Sequence, residues 1–186
     1  MHRKTNRTRL KQFKSKEAVV DNNVLVDLFE IGRLDLLFKV FKSVEIPQTV
    51  YEEEVTESVK SKIAQEQFLL SSVKTIEGYE LLRTLLGHRS YKRLSTFDRI
   101  IIAIARQDKC LCSSNDGLLR KACVEYNIEC TGTLGILGAA YENELITDSE
   151  FVKLVKLLYS DSTSCFLAQK TLNDFVDKHG YEMLIT

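Results

Sequence analysis

The chain has 186 residues, of which 44% are hydrophobic and 28% charged, and its formal net charge is zero. These values suit an ordinary globular protein of one domain with a real core. No apolar run approaches the length of a membrane span. The N-terminus, MHRKTNRTRLKQFKSK, has no apolar stretch of the kind a secretory signal needs. The five cysteines are an odd number and form no CxxC pair, so a reducing cytoplasm is the expected location. Cys110 and Cys112 lie in an apolar run and read as small reduced core residues.

The charge is unevenly spread. Residues 1–16 carry seven Lys and Arg and no acid, which leaves 19 basic against 26 acidic residues in the rest. Such an arm attracts a polyanion such as nucleic acid, or serves as a solvated tail. The expected organisation is a basic tail over 1–16 and one domain over 17–186, with C-terminal helices from about 148.

In chain order, Glu17–Val20 reads as a buried strand that ends on Asp21. Asn22 or Asn23 caps a helix running to about Glu30. Leu34–Phe41 is an amphipathic helix, with Leu34, Leu37, Phe38 and Phe41 on one face. Val44–Ile46 is a short strand, and Pro47 suits the start of a helix over Gln48–Val59 that carries Glu52, Glu53 and Glu54. Ser61–Leu70 reads as helix, Val73–Ile76 as an edge strand, Gly78–Leu86 as a short helix and Gly87–Lys92 as a basic loop. Ser95 or Thr96 caps an apolar helix over Phe97–Arg106, with Asp98 in its first turn. Cys110–Ser113 is a buried strand leading to Ser114, Asn115, Asp116 and Gly117. A helix over Leu118–Tyr126, a strand over Ile128–Cys130 and a Gly-rich turn and helix over Thr131–Glu144 follow. Ser149–Tyr159 and Cys165–His179 close the chain as amphipathic helices. Strands alternating with helices predict an α/β fold, with a central parallel sheet between two helical layers.

Three acids occupy special places. Asp21 ends the first strand, Asp116 follows the CLCSS strand, and Asp98 opens an otherwise apolar helix. Singly, each has an ordinary explanation. Asp98 complements the helix dipole, and Asp116 serves a turn before Gly117. Together, acids at strand carboxyl ends of a parallel sheet converge on one crevice. Carboxylates gathered there repel one another unless a divalent cation binds among them. Oxygen-only ligands point to Mg²⁺ or Mn²⁺ rather than zinc. His88, Arg89, Lys92 and Arg93, with Tyr91, form a basic segment suited either to RNA contact and stacking or to a solvated loop. The GTLGILG run from Gly132 lacks a P-loop lysine and reads as a tight turn with close helix packing.

These motifs resemble a PIN domain, the nuclease fold of VapC-type toxins and related ribonucleases. The matching stretches are VVDNNVLVDL with Asp21 and Asn23, IPQTVYEEEV with Glu53, STFDRIIIAIA with Asp98, LCSSND with Ser114 and Asp116, and ECTGTLGIL. They cover about residues 17–146. The resemblance implies a three-layer α/β/α sandwich. It also implies an acidic metal-binding and catalytic quartet of Asp21, Glu53, Asp98 and Asp116. Asn23 would orient the first acid, and Ser114 supplies a hydroxyl before the last. In YEEEV, the family spacing from Val50 selects Glu53, with Glu52 and Glu54 as solvated charges. DNN departs mildly from the family, where Thr is usual at Asn22's position.

The implied activity is Mg²⁺- or Mn²⁺-dependent hydrolysis of RNA phosphodiester bonds by water, leaving 5′-phosphate and 3′-hydroxyl ends. The implied partners are RNA, an antitoxin protein if the chain is the toxin of a pair, and a second copy in a homodimer, with no membrane. The alternatives are an RNA-processing or DNA-acting nuclease without an antitoxin, and a non-catalytic module that binds nucleic acid or protein.

Overall fold

The computed structural model describes residues 8–185 apart from positions 65, 67 and 166. Five strands form one all-parallel sheet. They are β1 (Glu17–Val20), β2 (Ser43–Pro47), β3 (Leu69–Ser71), β4 (Leu111–Ser113) and β5 (Cys130–Thr131), in the order β3-β2-β1-β4-β5. The inner strands are buried on both sides, which is why they read as continuous apolar runs rather than alternating ones. Ala18, Val19 and Val20 have no exposed surface, and neither does Cys112.

The helices are α1 (Asn22–Glu30), α2 (Asp35–Val40), α3 (Gln48–Glu53), α4 (Glu57–Ile63), α5 (Ile76–Gly87), α6 (Thr96–Gln107), α7 (Gly117–Glu125), α8 (Thr133–Glu142), α9 (Asp148–Leu158), α10 (Gln169–His179) and α11 (Glu182–Ile185). On one side α6 lies along β1, β2 and β4, with α5 and α7 against it. On the other, α8 packs with α1, α2 and α9. The result is the expected three-layer α/β/α sandwich. The sheet grows outward from β1 to β2 and β3, then returns to place β4 on the other side of β1. This reversal opens a crevice at the carboxyl ends of β1 and β4, where open α/β sheets bind ligands.

Several boundaries differ from expectation, each for a local reason. The helix foreseen over Gln48–Val59 is broken in two. Val55 turns into the core, and Thr56 starts α4 by accepting the Val59 N–H at 3.5 Å. Helix α4 ends at Ile63, and the edge strand is Leu69–Ser71 rather than Val73–Ile76. Lys74 and Thr75 instead form a cap loop. Both donate backbone N–H groups to Gln107 Oε1, and the Thr75 hydroxyl caps α5. The strand near Ile128 shifts to Cys130–Thr131, and the last long helix starts at Gln169.

The basic N-terminal segment does not remain a tail throughout. Residues 1–7 lie outside the described residues. Positions 8–11 are helical and lead into a 3-10 turn, Gln12–Ser15. Leu10 and Phe13 are buried, and Phe13 stacks on Phe41 with ring centroids 5.5 Å apart. Arg9 and Lys16 both pair with Glu129. Two apolar side chains three apart in a basic stretch are enough to dock it. All five cysteines are free thiols. No helix among the described residues is long and apolar enough to cross a membrane.

Candidate active site

The crevice is built by the β1–β4 pairing. Val20 stands opposite Ser113, and the Asp21 N–H continues the ladder to Ser113 O at 2.9 Å. This register sets Asp21 beside Ser114. The Ser114 hydroxyl donates to Asp21 Oδ2 at 2.6 Å, and Asn23 Nδ2 donates to the same oxygen. Ser114 Oγ also accepts the Asp116 N–H at 3.1 Å, so one fully buried hydroxyl links the first and last acids. Asp116 caps α7 by accepting the Leu119 N–H at 2.7 Å, and its side chain stands at the exposed rim.

Asp98 arrives from the α6 N-terminus. It forms a capping box with Ser95, accepting the Ser95 N–H at 2.7 Å and donating its own N–H to Ser95 Oγ at 3.0 Å. Its ordinary helix-start role is therefore real. It also acts electrostatically on Asp21 and on Glu54. Cap and crevice residue coincide because α6 begins at the crevice.

The glutamate whose charge acts on Asp21 is Glu54, the neighbour of the expected Glu53. Glu53 ends α3 with its side chain exposed. Glu54 follows it, partly buried, just before Val55 enters the core. Burial raises its carboxyl above the ordinary range, and the charges of Asp98 and then Glu53 raise it further. Spacing from Val50 cannot separate these neighbours, because the turn after α3 decides which one faces inward. Glu52 is exposed and accepts a hydrogen bond from Gln48 at 2.8 Å.

Asp21 is only 5% exposed. Burial pushes its carboxyl up to about 7, and the negative charges of Asp98 and Glu54 add to the shift, against the stabilising hydrogen bond from Ser114. A buried acid raised by its acidic neighbours lacks the counter-charge that would normally justify its position. The neighbouring Asn22 Oδ1 is a buried acceptor with no hydrogen-bond partner among the described residues. Among these residues, no three His, Cys, Asp or Glu side chains close on a common point as a metal cage. The donor set nonetheless fits a hard divalent cation. It offers carboxylate and amide oxygens and a desolvated charge that a cation would neutralise.

The basic segment is partly committed elsewhere. Tyr91 has no exposed surface and its hydroxyl bonds Glu125, so its ring does not stack on a ligand. Arg99 Nη2 holds the loop by donating to Tyr91 O at 3.1 Å. Arg89, Lys92 and Arg93 remain exposed, shortly before Asp98 in the chain.

Three residues of the site environment were missed in the sequence: Asp27, Asn115 and Thr133. Asp27 is 5% exposed within the apolar stretch of α1, and Thr133 is fully buried. The available signal was an acid inside an apolar helical run, a position that demands partners. Gly132 answers to the same cluster. Its φ of −145° is ordinary extended backbone, but a Cβ there would lie 2.3 Å from Asn115 Oδ1.

The fold and crevice define an α/β/α domain with a buried acid, Asp21, at the switch point of its sheet and further acids around it. A family model described as a PIN domain matches residues 17–181. The chain belongs to the PIN-domain family, whose members are generally nucleases that use divalent metals. No curated protein matches it in sequence.

Proposed function

We propose that the protein is an endoribonuclease that hydrolyses RNA phosphodiester bonds with Mg²⁺ or Mn²⁺. The observation that carries this reading is the burial of the Asp21 carboxylate at the end of β1 with no cationic partner among the described residues. Burial first, and then the charges of Asp98 and Glu54, raise it, while burial and Asp98 also raise Glu54. Such a set is unstable alone and complete with a divalent cation. Asp21, Asp98 and Asp116 would hold the ion, with Glu54 taking the place assigned by spacing to Glu53. When bound, the ion would lower the pKa of a water and neutralise charge on the phosphate oxygens.

The chain's own groups do the remaining work. Ser114 and Asn23 fix Asp21 Oδ2 in one orientation. The Glu54 carboxylate, with its raised proton affinity, is suited to accept the proton of the attacking water. Arg89, Lys92 and Arg93, exposed and shortly before Asp98 in the chain, would supply cationic charge for RNA phosphates. Attack by water leaves 5′-phosphate and 3′-hydroxyl ends.

The test is cleavage of a mixed RNA pool, and of single-stranded DNA in parallel, with Mn²⁺ or Mg²⁺, with EDTA and with Asp98→Asn. The expected result is metal-dependent cutting of RNA, abolished by EDTA and by the substitution. Cutting of DNA alone would replace the substrate assignment. The narrower role, a toxin acting in the cytoplasm and held by an antitoxin, predicts growth arrest on expression, relieved by a co-expressed partner. A homodimer predicts twice the monomer mass in solution.

A further inference from the structure

Asp27, which lines a cleft with Asn23, Asn115 and Asp116, accepts three hydrogen bonds at Oδ2. They come from Asn115 Nδ2 at 2.5 Å, the Thr133 hydroxyl at 2.8 Å and the Cys165 thiol at 3.4 Å. Asn115 Oδ1 accepts the Thr133 N–H at 3.0 Å, so both ends of the Asn115 amide are occupied. The Asn115 N–H then donates to Asn23 Oδ1 at 3.1 Å. Asn23 passes the constraint on, donating from Nδ2 to Asp21 Oδ2 and to Ser114 Oγ, the latter at 3.3 Å. The chain of contacts therefore runs Asp27, Asn115, Asn23, Asp21. Every link has a fixed donor and acceptor, because each amide is oriented by a partner on its far side.

We propose that Asp27 and Asn115 are positioning residues that set the orientation of Asp21 and the path of the chain into Asp116. A carboxylate with three donors in a buried site is a rigid anchor, since rotating it would leave several groups unsatisfied. Asn115 is the lever. Its side chain is held on Asp27 and the β5–α8 turn, while its backbone lies between Ser114 and Asp116. Gly132 is the matching concession, because a side chain there would expel the Asn115 amide. Metal-ligating carboxylates depend on outer partners that lock their orientation. This relay supplies that lock from Asp27, which reaches Asp21 only through Asn115 and Asn23. The inference rests on the nuclease reading for its effect on catalysis, but its geometric content does not.

The experiment uses the full chain with Asp27→Ala, Asp27→Asn and Gly132→Ala, each at a temperature where circular dichroism shows it folded. Three quantities are read: exchange of the Asn23 side-chain amide protons by NMR without metal, Mn²⁺ affinity by calorimetry, and kcat and KM for RNA cleavage. In Asp27→Ala, Asn23 amide exchange should rise at least tenfold. Mn²⁺ affinity should fall at least fivefold and kcat about tenfold, with KM changed less than threefold. Asp27→Asn, which can still accept hydrogen bonds, should recover much of each loss. Gly132→Ala should reproduce the Asp27→Ala pattern by displacing Asn115. A lower melting temperature with unchanged Asn23 exchange and Mn²⁺ affinity would overturn the proposal. If wild-type protein neither binds Mn²⁺ nor cuts, the nuclease reading fails, and Asn23 exchange alone decides the relay. If Asp27→Ala does not fold, Asn115→Ala cuts the chain one link later and is judged by the same readouts.

Discussion

Ser114 holds Asp21 through a 2.6 Å hydrogen bond from a hydroxyl with no access to solvent. The same oxygen receives the Asp116 N–H, so removing it frees both ends of the crevice. Ser114→Ala should cost about 1–3 kcal/mol in stability, the usual range for leaving buried polar groups unsatisfied. It should also lower RNA cleavage by roughly tenfold or more, consistent with the loss of an outer partner. Chemical denaturation and initial rates in Mn²⁺ check the two effects separately.

Acidity should stabilise the metal-free protein. Folding raises the Asp21 carboxyl from 3.8 to about 7. Between these values the native state keeps a proton that the unfolded chain has released. The contribution from this group is full below the unfolded value and lost as pH rises through about 7. Its size is of the order of a few kcal/mol. In EDTA, the melting temperature should therefore fall from pH 5 to pH 8, and fall less in Asp21→Asn. At pH 8 that variant should melt higher than wild type while losing catalysis, a trade expected of a strained functional acid. Equal slopes for the two proteins would remove Asp21 as the cause.

Glu54 and Glu53 are adjacent and chemically identical, so they separate placement from composition. Glu54→Gln should lower kcat about 100-fold, as loss of a catalytic proton acceptor does. Glu53→Gln, at an exposed side chain, should change it less than about threefold. The reverse ranking would restore the assignment made from spacing.

One substitution tests the scaffold without the site. A Cβ on Gly78 would lie 2.6 Å from Gln107 Oε1, the atom that holds Lys74 and Thr75. Gly78→Ala should destabilise by about 1–3 kcal/mol, the cost of overpacking. Cleavage well below the melting temperature should remain unchanged. Parallel loss of activity under those conditions would tie the α5 cap loop to the crevice.

The fold was legible because its strands are short apolar runs bounded by acids, asparagines and glycines. Asp21, Asp98 and Asp116 were legible because each sits at an element boundary. Which glutamate is partly buried and acts on Asp21 was not, because it depends on where α3 stops and Val55 turns inward. The Leu69–Ser71 edge strand was hidden for a related reason. Leu69 and Leu70 are largely exposed, so no buried pattern marks it. Tyr91 looked like a nucleic-acid platform beside basic residues, yet its hydroxyl partner Glu125 lies 34 positions away. Asp27 joins residues 88, 106 and 138 positions distant, and contacts across such separations leave no local pattern to read.

The most direct test is end-group analysis of RNA cut by purified protein in Mn²⁺, with EDTA and Asp21→Asn as controls. The account predicts 5′-phosphate and 3′-hydroxyl ends, and no cutting in either control. Cutting that persists in EDTA or in Asp21→Asn, or that leaves 2′,3′-cyclic phosphates, would contradict it.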